Sequence, residues 1–191
     1  MSRPLLAFIG PSGTGKSAIV RSLADRGVIC VHPTWTTRFR RRDEAAGSVE
    51  HRFVSEEEFL RRRDAGFFLH TVQMFDMPYW YGLPTIQWNE RGVTEAVMLR
   101  APLVPILRAA YPDPVIYQIE APLELVEARL AVRHYPTDEL DARLADNERE
   151  LVAGRRIARR TFDNNRLLDA VVDDVERAIR QDFTPTHLEA T

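Results

Sequence analysis

The segment GPSGTGKS, residues 10–17, sets glycines, a lysine and a hydroxyl at the spacing G-x-x-x-x-G-K-[ST]. Each residue type has a physical task if the ligand is a nucleoside triphosphate. Glycines let successive backbone N–H groups wrap a phosphate, and a helix N-terminus adds partial positive charge. The Lys16 ammonium can reach β- and γ-phosphates, and the Ser17 hydroxyl can ligate Mg²⁺. Gly10, Ser12, Gly13, Thr14, Gly15, Lys16, Ser17 and Ala18 are therefore the expected cofactor-binding residues, with ATP and Mg²⁺ as cofactors and Ser17 as metal ligand.

A second charged group follows in TTRFRRR, residues 36–42. Arg38 and Arg41 are three apart on an aperiodic stretch and can present a fork to one phosphate. Arg40 and Arg42 read as solvent-facing, the ordinary fate of a charge run.

The elements that must hold these groups can be read from periodicity. PLLAFI (4–9) is a buried strand, Lys16 to about Asp25 a helix, and VICVH (28–32) a second strand. The stretch from Pro33 to Val49 reads as loop, with VEHRFV extended after it. Ser55 followed by Glu58 is a capping box that opens a helix to about Ala65. FFLHTVQMF and YWYGLP pair as extended segments, and Ile86 to Glu90 is at best a short helix. Then come a strand at 93–99, a helix at 102–110, a strand at 114–119 and a helix carrying Leu123, Val126 and Leu130. A strongly charged helix with only Leu140, Leu144 and Leu151 on its apolar stripe buries little and can move. Leu168, Val172, Val175, Ile179 and Phe183 mark the final helix. Strands alternating with helices give a parallel sheet with right-handed crossovers.

At 191 residues, 45% hydrophobic and 28% charged, the chain can bury one good core. A net charge of −2 excludes a broad pull toward nucleic acid or anionic membrane. With Cys30 alone, no intrachain disulfide or cluster of cysteine ligands can form. No apolar run approaches the ~18 residues of a membrane span, and the N-terminus lacks a secretory pattern, so a soluble, cytoplasmic protein is expected.

Beyond the loop, TTRFRRRDEAAGSVEHRFVSEEEF (36–59), YGLP (81–84), PLELVEARLAVR (122–133) and FDNNRLLDAV (162–171) resemble, in order, segments of the guanylate kinase family. The resemblance implies an α/β fold: a three-layer α/β/α P-loop kinase fold with a parallel core sheet. The core would comprise 1–33, 92–133 and 157–184, with an acceptor-binding insertion at about 34–91 and a helical lid at about 134–156. It implies that Arg38 and Arg41 grip the acceptor phosphate, with Thr34, His51, Leu69 and Tyr81 also at the acceptor. Arg133 and Arg143 correspond to lid arginines over the transferring phosphoryl, although Arg149, Arg155 and Arg156 are alternatives and Arg143 also suits a surface ion pair. Asn165, or its neighbour Asn164, borders the adenine in this correspondence.

The departures bear on the acceptor. Guanine-specific members carry carboxylates where an ungapped alignment puts Leu69, Met98 and Arg100 here. None of these can accept guanine's N1–H and 2-amino donors, and an unpaired buried donor costs about 1–3 kcal/mol. The segment AAGSVEH, with His51, looks more like the ribose 1,5-bisphosphate phosphokinase branch, whose acceptor has no base. The expectation is a kinase acting on a small phosphorylated substrate, as monomer or homodimer, without nucleic-acid or membrane partners. A GMP kinase with a divergent base pocket and a non-catalytic binding module are the alternatives.

Overall fold

In a computed structural model, the described residues are 5–40, 49–73, 78–88, 92–132 and 137–183, the side chains of 137–143 excepted. The core is a five-stranded parallel sheet. Its strands are β1 (Leu6–Ile9), β2 (Ile29–His32), β7 (Thr94–Met98), β8 (Val115–Glu120) and β9 (Arg160–Asp163), in the spatial order β2-β7-β1-β8-β9. β1 is central and fully buried, so its residues feed both faces, as the unbroken apolar run predicts. Leu6 and Phe8 pack with Ile19, Val20 and Leu23 of α1 (Lys16–Asp25) and Val171, Val172 and Val175 of α6 (Leu168–Phe183). Leu5, Ala7 and Ile9 pack on the other face with Val97, Leu99 and Val104 and Leu107 of α3 (Val104–Ala110). Helix, sheet and helix make the three layers.

The insertion has its own sheet, ordered β4-β3-β6-β5, from β3 (Thr34–Thr36), β4 (His51–Phe53), β5 (Phe68–Gln73) and β6 (Trp80–Pro84). α2 (Glu56–Asp64) starts at the expected cap: the Ser55 hydroxyl accepts the Glu58 N–H at 3.2 Å. Its Phe59 is buried and stacks on Phe68 at 4.6 Å, while Trp35 lies between the guanidinium groups of Arg52 and Arg62, 4.5 and 4.7 Å away. An aromatic cluster thus replaces a large aliphatic core in this small unit.

Two local readings are corrected and one strand is added. Thr34–Thr36 is a strand rather than loop, because its ladder partners lie at 51–53 and 81–82. Arg160–Asp163, to which the sequence pattern assigns no element, is an edge strand beside β8. Residues 85–88 are not helical: Ile86 is buried, with its N–H donated to the Tyr111 hydroxyl at 2.7 Å.

α4 (Leu123–Ala131) and α5 (Thr137–Ile157) follow β8. The second half of α5 is docked, which departs from a wholly movable charged helix. Gly154 sits so close to Gln118 of β8 that a Cβ would overlap its amide, and the Gln118 Nε2 donates to the Leu151 carbonyl at 3.1 Å.

One ionic knot ties α6 to the sheet. The Asp182 carboxylate accepts two bonds of 2.8 Å from Arg160, one of 2.7 Å from the Tyr117 hydroxyl, and an ion pair from Arg159. Arg160 foremost holds this carboxyl well below the ordinary value of 3.8, against burial. Its folded pKa is depressed, so its stabilisation is complete above the unfolded value and is lost as pH falls below it. Asp182→Asn should therefore lower stability near pH 7 by about 2 kcal/mol, a charge-assisted network's worth. Urea unfolding of both proteins should show the gap closing below about pH 4, where the unfolded carboxyl protonates. A gap that persists unchanged into that range contradicts the assignment.

Candidate active site

The loop between β1 and α1 is shaped by glycines that nothing else could replace. Gly10 has φ 137° and Gly15 φ 87°. A Cβ at Gly10 would overlap the Ile119 carbonyl, and one at Gly15 would overlap the Asn164 amide. Three successive loop carbonyls are held by donors from the rest of the core. Asn147 donates to Ser12 O at 3.4 Å, Arg129 to Gly13 O at 3.2 Å and Asn164 to Thr14 O at 2.8 Å. Acceptors that would repel a phosphate are thereby engaged. Thr14 closes the turn on Pro11 O at 3.0 Å, and the Lys16 ammonium lies across it, 2.7 Å from Gly10 O and 3.4 Å from Pro11 O.

A cavity opens from this loop. Gly10, Ser12, Gly13, Gly15, Lys16 and Ser17 of the loop line it. Thr34, Arg38, Glu50, His51, His70, Val72 and Tyr81 come from the insertion, and Met98, Leu99, Arg100 and Leu103 from the core. The parallel β3–β4 pairing sets Thr34 opposite His51, and the Thr34 hydroxyl and His51 Nδ1 are 2.6 Å apart. His51 meets the Tyr81 ring edge-on at 6.1 Å. The Arg38 guanidinium sits 5.0 Å from the Phe53 ring and donates to Phe39 O at 2.9 Å.

Most of the sequence-selected groups meet here. Ser12, Gly13, Lys16, Ser17, Thr34, Arg38, His51 and Tyr81 line this one cavity. Thr14 is buried, and Ala18, in the first turn of α1, is not among the lining residues. Arg41 and Arg133 lie outside the described residues, as does the Arg143 side chain.

Two expectations change. Leu69 does not line the cavity; it packs with the apolar cluster around Val97 and Leu99, while His70 and Val72 face the cavity. Strand alternation is the reason: residues two apart share a face, and the register of β5 on β6 shifts between Phe68 and His70. Asn165 is exposed and bonds only its own turn at Asp163, whereas the buried Asn164 reaches the phosphate loop. Arg40, read as solvent-facing, is exposed, with its guanidinium 5.0 Å from the Phe53 ring.

Arg100 is bound from the other side. Its guanidinium donates to Glu150 at 2.9 and 2.6 Å and to Asp146 at 2.5 Å, while Glu150 also accepts the Ala101 N–H at 3.1 Å. Burial opposes its charge, but Glu150 and Asp146 together outweigh this and hold the Arg100 pKa up. Glu50 is the carboxylate among the lining residues; it is 7% exposed and takes the Arg21 guanidinium at 3.4 Å. Glu50, His70, Asn147 and Arg129 were not selected from sequence. Only Arg129 carried a signal, as the first arginine of the P-x-x-x-L-x-x-R-L-x-x-R pattern.

A glycine-rich phosphate loop after the central strand of a parallel sheet, facing a small mixed-sheet insertion, defines a P-loop kinase fold. The chain is 31% identical over 181 residues, 92% of its length, to the guanylate kinase of Thermosynechococcus vestitus, of which it covers 88%. It belongs to the guanylate kinase family. Against the guanylate kinase of Legionella pneumophila (strain Lens), identity is 32% over 139 residues, 70% of this chain. There the match spans 65% of the relative's length. Against the ribose 1,5-bisphosphate phosphokinase of Desulfomicrobium baculatum, it is 27% over 167 residues, 84% of this chain and 86% of that protein. The fold agrees with the crystal structure of guanylate kinase from Anaplasma phagocytophilum, with a TM-score of 0.68 at 20% identity over 97% of this chain and 89% of that one. No protein-family model matches the sequence.

Proposed function

We propose that the chain is an ATP-dependent phosphotransferase that moves a γ-phosphoryl group onto the phosphate of a small acceptor lacking guanine. The observation that carries this reading is one cavity lined both by Lys16 and Ser17 of the loop and by Arg38, His51 and Tyr81. The loop fits a triphosphate: a side chain at Gly10 or Gly15 would overlap neighbouring atoms, and its outer carbonyls already have donors. Lys16 and the loop backbone would hold the phosphates, and Ser17 with the triphosphate would hold Mg²⁺. The metal, when bound, supplies charge neutralisation on the transferring group.

The protein's own work is alignment and charge. Arg38 fixes the acceptor phosphate, and an already anionic phosphate oxygen needs no general base. The Thr34–His51 pair orients the imidazole. Arg100 is held by Glu150 and Asp146 and marks the wall on the α5 side.

The acceptor reading comes from His70, Val72, Met98 and Leu99, which offer no carboxylate where a guanine-specific site needs one. Glu50 favours the second reading, a GMP kinase with a displaced base acceptor, because its carboxylate lines the same cavity. A coupled assay of ADP release separates the two across GMP, other nucleoside monophosphates and sugar bisphosphates. The expected result is turnover with a sugar bisphosphate such as ribose 1,5-bisphosphate and at least ~100-fold lower kcat/KM for GMP, the cost of about two unmet hydrogen bonds. Efficient GMP turnover, abolished in Glu50→Gln, establishes the second reading instead. No turnover with any acceptor, together with undetectable Mg·ATP affinity, leaves a binding module.

A further inference from the structure

We propose that Cys30, His32 and Glu95 form a binding site for one thiophilic divalent cation, best matched by Zn²⁺, at the edge of the core sheet. β2 and β7 run parallel with Cys30 directly opposite Glu95. His32 lies two residues beyond Cys30 on the same strand face. The ligand atoms, one from each side chain, all lie within 4.8 Å of one another, and His32 Nε2 is 2.7 Å from Glu95 Oε2. On a tetrahedral zinc with bonds of about 2.0–2.3 Å, neighbouring ligand atoms stand roughly 3.2–3.8 Å apart. Small rotamer changes that draw the thiol in and part the His–Glu contact meet that requirement.

The chemistry of the donors selects the ion. Sulfur, imidazole nitrogen and one carboxylate oxygen suit zinc and cobalt, whereas Mg²⁺ demands an octahedron of oxygens. The Mg²⁺ that accompanies a nucleotide is therefore not a competitor. Three protein ligands leave one corner for water. Binding releases the Cys30 thiol proton to solvent, while Nε2 of the neutral imidazole takes the metal and its proton resides on Nδ1.

Burial gives the site its strength. The Glu95 side chain is 1% exposed, on a strand whose next residues, Ala96 and Val97, are fully buried. A cation bound here would neutralise that carboxylate and a thiolate together. None of the three residues lines the cavity of the candidate active site. The site is nonetheless linked to it through the chain, because β2 leads through Pro33 directly into Thr34. A bound ion would clamp the edge strand from which the acceptor-binding insertion springs, stabilising the fold by mass action.

The test uses the full chain, freed of metal with a chelator and titrated with Co²⁺, then Zn²⁺. One equivalent of Co²⁺ should give a near-ultraviolet thiolate-to-cobalt band and intense tetrahedral visible bands, both removed by Zn²⁺. Cys30→Ser should abolish the near-ultraviolet band and weaken binding at least ~10-fold. It should leave the midpoint of Mg·ATP binding unchanged, because Cys30 is remote from the loop. His32→Gln should weaken Co²⁺ binding to a similar degree. Zn²⁺ should raise the unfolding temperature of the natural chain by several degrees and leave that of Cys30→Ser unmoved. The proposal is overturned by the absence of a thiolate band at one equivalent. Binding that survives Cys30→Ser undiminished overturns it equally, since the ion then sits on other histidines.

Discussion

Lys16→Met is expected to lower the rate of phosphoryl transfer about 1,000-fold while the protein stays folded. Lys16 is the cation positioned at the phosphate loop, and its ammonium already spans the turn at Gly10 and Pro11. Removing one preorganised charge donor from a site of developing charge costs about 10²–10³ in kcat, or roughly 3–4 kcal/mol. The upper end applies because Lys16 carries full charge. The loop itself should persist, because Asn164, Arg129 and Asn147 hold its carbonyls independently of the lysine. Two measurements isolate the chemical role: single-turnover transfer with saturating acceptor, and the unfolding temperature. A fall in rate with an unfolding temperature within a few degrees supports the assignment. An unchanged rate removes Lys16 from the reaction, and a collapse of stability makes its bonds to Gly10 and Pro11 structural instead.

The loop was legible from sequence because its geometry is local. Eight consecutive residues contain every group expected to wrap a phosphate, and the flanking strand and helix declare themselves by burial and period. The Ser55–Glu58 cap was legible for the same reason. What sequence could not show depends on partners distant in the chain. β3 is three residues long and reads as arginine-rich loop until its partners at 51–53 and 81–82 are known. Leu69 and His70 exchange roles because a register shift beside Phe68 decides which side chain faces the cavity. No ungapped alignment contains that information. Cys30, His32 and Glu95 are unremarkable until β2 and β7 are seen to pair. Arg100 shows the same limit most clearly, since its counter-charges lie some fifty residues further on, at Asp146 and Glu150.

That last contact carries the second large prediction, Glu150→Ala. The Glu150 side chain is 1% exposed and holds three donors: the Arg100 Nε, an Arg100 terminal nitrogen and the Ala101 N–H. Its removal strands a buried backbone donor and takes one carboxylate partner from the Arg100 guanidinium. Breaking a buried pair from one side costs about 3–5 kcal/mol. The lower end is expected, because Asp146 remains as a partner and is itself 40% exposed. Glu150→Gln keeps an oxygen for Ala101 and Arg100 but no charge, so its cost should be nearer 1–2 kcal/mol. Urea unfolding measures both, and a cycle with Arg100→Met isolates the pairing energy. If Glu150→Ala costs under ~1 kcal/mol, Arg100 finds water or Asp146 without penalty and the tie is not structural. Activity adds a separate readout, because Arg100 both lines the cavity and anchors the docked half of α5. With Glu150 gone, a less restrained guanidinium in the cavity wall should change KM for an anionic acceptor more than it changes kcat. A fall confined to kcat points instead to α5, whose Asn147 braces the phosphate loop from the same helix face.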